Sequence, residues 1–162
     1  MRRPIALCVI AAATLAAPIA HAATAEVRFV NADKFTDAGK SRQWVDSDSV
    51  LSGLKGHLVK QASARLPADQ KLYVDITDVN LAGRYDPRQT LSHEVRVVKQ
   101  DHPPRIDLAF RLVAADGSVI RQGERTLRDP DFLTGPSLGY ENDSLRYEKA
   151  MLDRWLAREF GR

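Results

Sequence analysis

The run Lys71-Leu-Tyr-Val-Asp-Ile-Thr-Asp-Val-Asn-Leu-Ala-Gly83 constrains the fold more than any other part of the chain, because its apolar rhythm changes phase in the middle. Leu72, Val74 and Ile76 alternate with Tyr73, Asp75 and Thr77, the period-two pattern of a half-buried strand. Carried on unchanged, that alternation would turn Asp78 towards the core and Val79 and Leu81 away from it. One extra residue near Thr77 and Asp78, a β-bulge, restores the pattern, and Gly83 ends the strand. Asp78 is therefore the residue whose surroundings the sequence constrains least.

Before that strand the chain divides in two. Met1-Arg-Arg-Pro precedes an almost wholly apolar run from Ile5 to Ala20, and Ala20-His-Ala22 offers small residues where a signal peptidase reads them. Residues 1–22 are expected to be a secretory signal peptide and residues 23–162 a single exported, periplasmic domain. The Arg2-Arg3 pair lacks the rest of a twin-arginine export motif, so the general route is expected. Cys8 lies too early in the apolar run to carry a lipid anchor. No later stretch approaches the roughly 20 apolar residues of a membrane span, so no transmembrane segment is expected.

Removing the leader changes the chemistry on offer. Cys8 is the only cysteine, so the mature chain has no thiol for disulfides, covalent catalysis or thiolate ligation of a metal. Two of the 24 Lys and Arg leave with it, so 22 face 21 acids and the net charge is +1 rather than +3. Without a clustered basic patch, that balance gives no reason to expect a nucleic-acid partner. About 140 residues remain, enough to build one self-sufficient core.

In chain order, Glu26 to Val30 reads as a short strand and Asn31 to Gly39 as a loop. A helix is expected from Asp48 to Arg65, with Ser47-Asp48 as its N-cap, Val50, Leu54, Leu58, Ala62 and Leu66 as its buried ladder, and Pro67 as its stop. Gly53 and Gly56 fall on its outer face, each at a cost of about 1 kcal/mol relative to alanine. A polar loop from Arg84 leads to a strand near Glu94 to Lys99. Ile106, Leu108, Phe110 and Leu112 then alternate with polar neighbours, and a three-residue loop with Gly117 in the left-handed region suits a hairpin. The expected register sets Val113 opposite Val119, Leu112 opposite Ile120 and Asp107 opposite Arg125.

A second helix is expected from Asp143 or Ser144 to Phe160. Leu145, Leu152, Leu156 and Phe160 form its stripe, which Met151 and Trp155 widen towards Tyr147. Such an arc implies either a helix lodged in a groove or a partner surface on its flank. The fold class is α+β: a mostly antiparallel sheet of four to five strands with two amphipathic helices, in the order β-α-β-β-β-β-α.

Several blocks together carry a resemblance. Val27 to Val30 with Phe35-Thr-Asp-Ala-Gly, Asp75-Ile-Thr-Asp-Val-Asn-Leu-Ala-Gly-Arg84, Pro104-Arg-Ile-Asp-Leu, Gly123-Glu with Leu127 and Asp129, and Leu145-Arg-Tyr-Glu-Lys-Ala-Met-Leu-Asp-Arg-Trp-Leu156 resemble the bacterial exported family known as domain of unknown function 3016. The resemblance covers nearly all of the mature chain. It implies a periplasmic protein and brings no activity, cofactor or catalytic residue.

Few polar residues stand out of place. At the bulge, Asp78 is expected to accept backbone N–H bonds or to pair with Arg84, with a ligand contact as the alternative. Asp75 and Asp107 belong on the wet side of the sheet. Glu148 falls inside the apolar arc of the last helix, where a charge must be paired or neutralised, with Arg96, Arg121 or Arg125 as its expected partner. The alternative makes it a polar anchor in a binding groove. His57, His93 and His102 have no metal-ligand spacing and are expected at the surface, so neither a metal nor a cofactor is expected. Trp44 and Trp155 read as core or rim aromatics. Arg84 and Arg88 with Tyr85 form a basic loop suited to an anion or acidic partner. No phosphate loop or nucleophile elbow is present.

The leading functional expectation is a non-catalytic module that binds a protein partner, a second copy of itself or an envelope component. Its face would be Met151 and Trp155 of the last helix, with the Arg84 loop. The competing expectations are a small hydrolase with Asp78 or Glu148 as acid-base group, and a carrier of a small ligand or lipid between sheet and helices.

Overall fold

A computed structural model of the chain describes residues 24–39, 46–85, 96–135, 140 and 142–161. The leader reading and the readings of Trp44, Arg88, His93 and Glu94 lie outside these residues. Strand β1 (Thr24–Phe29) is followed by a single 3-10 turn (Ala32–Lys34), helix α1 (Ser47–Arg65) and strand β2 (Lys71–Asn80). Two-residue strands β3 (Arg84–Tyr85) and β4 (Arg96–Val97), long strands β5 (Arg105–Val113) and β6 (Val119–Arg128), and helix α2 (Arg146–Phe160) complete the chain. The expected order holds, with β3 added.

Four strands form one sheet in the order β1-β2-β5-β6, and β3 pairs with β4 apart from it. β1 lies parallel to β2, and the other neighbours are antiparallel. A parallel pair needs a crossover, and α1 supplies it. Alternation decides which face the helices cover: Val27, Leu72, Val74, Ile76, Ile106, Leu108, Phe110 and Leu112 are buried, as are Leu54, Leu58 and Ala62 of α1 and Leu152 and Leu156 of α2. The opposite face is wet and charged, with Arg28 on Asp75 at 2.8 Å and Lys71 on Glu26 at 3.2 Å.

The phase change in β2 is a bulge. Ile76 faces Leu108 across the ladder and Asp78 faces Asp107, so Thr77 is the extra residue. Val79 then returns to the core, fully buried. In the hairpin, Gly117 has φ +83°, the Gly117 amide donates to the Ala114 carbonyl, and Val113 faces Val119 as expected. The register then slips, so Leu112 faces Arg121, Leu108 faces Arg125, and Asp107 faces Thr126 rather than Arg125.

Three further expectations are corrected. The N-cap of α1 is Asp46, whose Oδ1 accepts from the Ser49 amide at 3.2 Å. Gly53 is not on an open face, since a Cβ there would come within 2.9 Å of Leu145 Cδ1. The wide arc of α2 is the inside of the fold: Met151 and Trp155 are each 2% exposed. Trp155 packs edge-on to Phe110 and Phe160, with ring centres 5.7 and 5.8 Å away. The helix is lodged in a groove of its own chain, so neither residue offers a docking face.

Candidate functional site

Past the bulge, β2 ends in a turn whose backbone is held from three sides. The Leu81 amide donates to Oδ2 of Asp37 (3.1 Å), the Ala82 amide to Oε1 of Glu148 (2.7 Å) and the Gly83 amide to the carbonyl of His102 (2.8 Å). A strand end has no ladder partner for such groups, and buried amides must find other acceptors. Gly83 has φ +79°, and a Cβ there would lie 2.5 Å from the Val97 carbonyl oxygen, so both conformation and space require glycine.

This turn forms one wall of a cleft of about 530 Å³ lined by Arg84, Arg105, Arg128, His102, Asp37 and Asp101, among others. The bulge lies beside this cleft and positions one of its arginines, Arg105. It sets Asp78 directly across from Asp107, and like charges in that position repel. Arg105 resolves the conflict: Nη2 lies 2.5 Å from Oδ2 of Asp78 and 3.6 Å from Oδ2 of Asp107. The Thr36 amide and hydroxyl also donate to Asp78, at 2.7 and 2.8 Å. Partial burial works against this charge, but the Thr36 bonds and Arg105 together hold the Asp78 carboxyl below its ordinary range. Arg105 keeps a buried Nε–H with no hydrogen-bond partner. The cleft thus presents guanidinium groups on a braced frame, the geometry that receives carboxylate or phosphate groups.

Residues 23–158, which include the residues that line this cleft, match the family described as Protein of unknown function (DUF3016). The chain belongs to that family. No curated protein matches it. Among solved structures it is similar to a dodecamer of a PelC point variant from Paraburkholderia phytofirmans, at 18% identity over 86% of this chain and 92% of that chain, with a TM-score of 0.34.

Of the residues singled out in the sequence, Arg84 lines the cleft, and Asp78 lies beside it, accepting the Thr36 amide and paired with Arg105. Glu148 stands behind the turn, fully buried. Its expected partners are elsewhere: Arg121 and Arg125 both reach Glu159, and Arg96 acts on it only at a distance. Burial pushes the Glu148 carboxyl up, and neither Arg96 nor the Ala82 amide offsets it. Met151 and Trp155 belong to the core and take no part in the cleft.

A second polar cluster joins the two helices. His57 Nε2 lies 2.9 Å from Oδ1 of Asp153, and the Tyr140 hydroxyl donates to Oδ2 at 2.9 Å. Far from being a surface residue, His57 is buried. Sequence reasoning missed Arg105, Arg128 and Asp153. The first was within reach, since it lies two residues before Asp107, the residue that faces the bulge. Among the described residues no group of three or more His, Cys, Asp or Glu is placed to hold a metal, and no helix is long and apolar enough to cross a membrane.

Proposed function

We propose that this chain is an exported, periplasmic, non-catalytic binding module that takes an anionic group of its partner, a carboxylate or phosphate, in the cleft of Arg84, Arg105 and Arg128. The single observation behind this reading is the convergence of three arginines on one cleft whose frame is braced by hydrogen bonds and an ion pair. Export is supported by the apolar leader and its small-residue end.

Neither carboxylate suited to a hydrolase stands where acid-base work is done. Glu148 is fully buried, out of reach of any substrate in the cleft. Asp78 is held below the ordinary carboxyl range and accepts from three donors, so it makes a poor proton donor or acceptor near neutrality. Carriage between sheet and helices is not favoured either, because side chains such as Leu54, Leu58, Leu72 and Leu152 fill that space.

Titration calorimetry tests the reading. Sulfate and citrate are expected to bind, neutral sugars not, and Arg128→Gln to weaken both anions at least about tenfold by removing one charge-assisted contact of about 1.5–3 kcal/mol. Equal affinities of Arg128→Gln and wild type, or no anion binding at all, would overturn it.

A further inference from the structure

The cleft wall made by Leu81–Gly83 is held by two ionisable side chains and one carbonyl, and the two carboxyl groups are in opposite situations. Asp37 is half-buried, near the open cleft. Glu148 is sealed: it has 0% exposure, one oxygen on the Ala82 amide, and an Oε2 with no hydrogen-bond partner. An ionised carboxylate in that place would have only backbone N–H groups, of Ala82 and of Glu148 itself, to replace its whole hydration shell, which is far too little. Two cations bear on the site, Arg96 of β4 and Arg146 of the same helix, and both favour the charged form. Neither donates to Oε2, and Arg96 keeps a buried Nη1 with no partner of its own.

We propose that Glu148 is a positioning residue that works as a neutral carboxylic acid: it fixes the Leu81–Gly83 wall of the arginine cleft, and loss of its proton releases the Ala82 amide and weakens anion binding. The inference rests on the anion-binding reading of the cleft. Its chemistry is a simple ionisation, with the proton lost to solvent and the negative charge left on the carboxylate. The charged group gains by moving towards water or towards Arg96, and either movement draws Oε1 off Ala82. The arginines in front of the wall then lose the fixed spacing that lets them act together, and binding that depends on preorganisation falls.

The experiment follows two readouts in the wild-type chain and in Glu148→Gln, which keeps the acceptor oxygen and cannot ionise. The first is the amide resonance of Ala82 without ligand, titrated upward from the ordinary carboxyl range to mildly alkaline pH. The second is the affinity for sulfate, an anion that does not itself titrate there. In the wild type the Ala82 resonance is expected to shift with a single ionisation, and sulfate affinity to fall in parallel by at least about fivefold, the low end of coupling between sites. The Ala82 shift is expected to vanish in Glu148→Gln. Any loss of affinity that remains in that variant belongs to a group other than Glu148. Arg96→Met removes a cation that favours the charged form and is expected to move the wild-type transition to higher pH.

If the Ala82 resonance does not titrate in the wild type, or titrates identically in Glu148→Gln, the proposal is wrong whatever sulfate does. If Ala82 titrates as expected and sulfate binds at no pH, the anion-binding reading of the cleft fails, and with it the coupling.

Discussion

His57 and Asp153 tie the two helices of this protein together, with Nε2 of the first 2.9 Å from Oδ1 of the second and no more than 8% of either side chain exposed. Burial lowers the affinity of His57 for a proton, and the neighbouring Asp153 only partly offsets it. A histidine depressed in the folded state is neutral there while its unfolded counterpart takes up a proton. Stability is therefore complete above the ordinary histidine range and is lost as pH falls through it. The thermal midpoint is expected to drop on acidification below about pH 6.5. His57→Gln is expected to flatten that part of the profile, as measured by circular dichroism melts.

Asp78 works in the same direction at lower pH. Its folded form holds the proton less tightly than the unfolded chain does, so its contribution is present above the ordinary aspartate range and disappears as pH falls through the lowered value. Asp78→Asn keeps the shape but leaves Arg105 with Asp107 alone. The expected cost is about 1–3 kcal/mol at neutral pH, read from urea denaturation, with a shallower loss of stability in acid.

Trp155→Ala removes the ring at the centre of a three-aromatic contact and is expected to cost about 3–5 kcal/mol. Met151→Lys places a charge where 2% of the residue is exposed and is expected to do at least as much damage. Denaturant midpoints measure both. Partner capture that survives in either variant at full stability would contradict the placement of these residues in the core.

Gly83→Ala combines a left-handed backbone with a 2.5 Å approach to the Val97 carbonyl oxygen. A loss of more than about 1 kcal/mol is expected, together with weaker sulfate binding, because the turn it strains is the cleft wall. Differential scanning calorimetry and calorimetric titration of the same sample separate the two effects.

Much of the frame was legible in the sequence wherever one side of an element faces the core. The Thr77 bulge follows from the need to bury both Ile76 and Val79, and the hairpin loop from the left-handed requirement at Gly117. The register of β6 was not legible for the same reason in reverse. Val119 and Ile120 are 50% and 48% exposed, so pairing Ile120 with Leu112 had no core to enforce it, and the strand slipped. The width of the α2 arc was plain, but a helix alone does not say whether a sheet or a stranger covers it. Side-chain partners failed most often. Arg105 reaches Asp78 only because the bulge shifts the ladder by one, and Glu148 meets a backbone amide, a partner that leaves no trace in residue identity.

The placement of β2 has a consequence for how the chain must acquire its structure. The strand nearest the middle of the sequence is flanked by β1, which pairs 47 residues upstream of it, and by β5, whose pairing begins 25 residues beyond its last residue. No N-terminal portion that stops short of β5 contains a finished sheet, and no C-terminal portion that starts after β1 contains one either. Cutting the chain anywhere between Phe29 and Arg105 separates strands that lie side by side. Such a molecule is expected to assemble as one cooperative unit or not at all, with no half-sized fragment able to present the arginine cleft by itself.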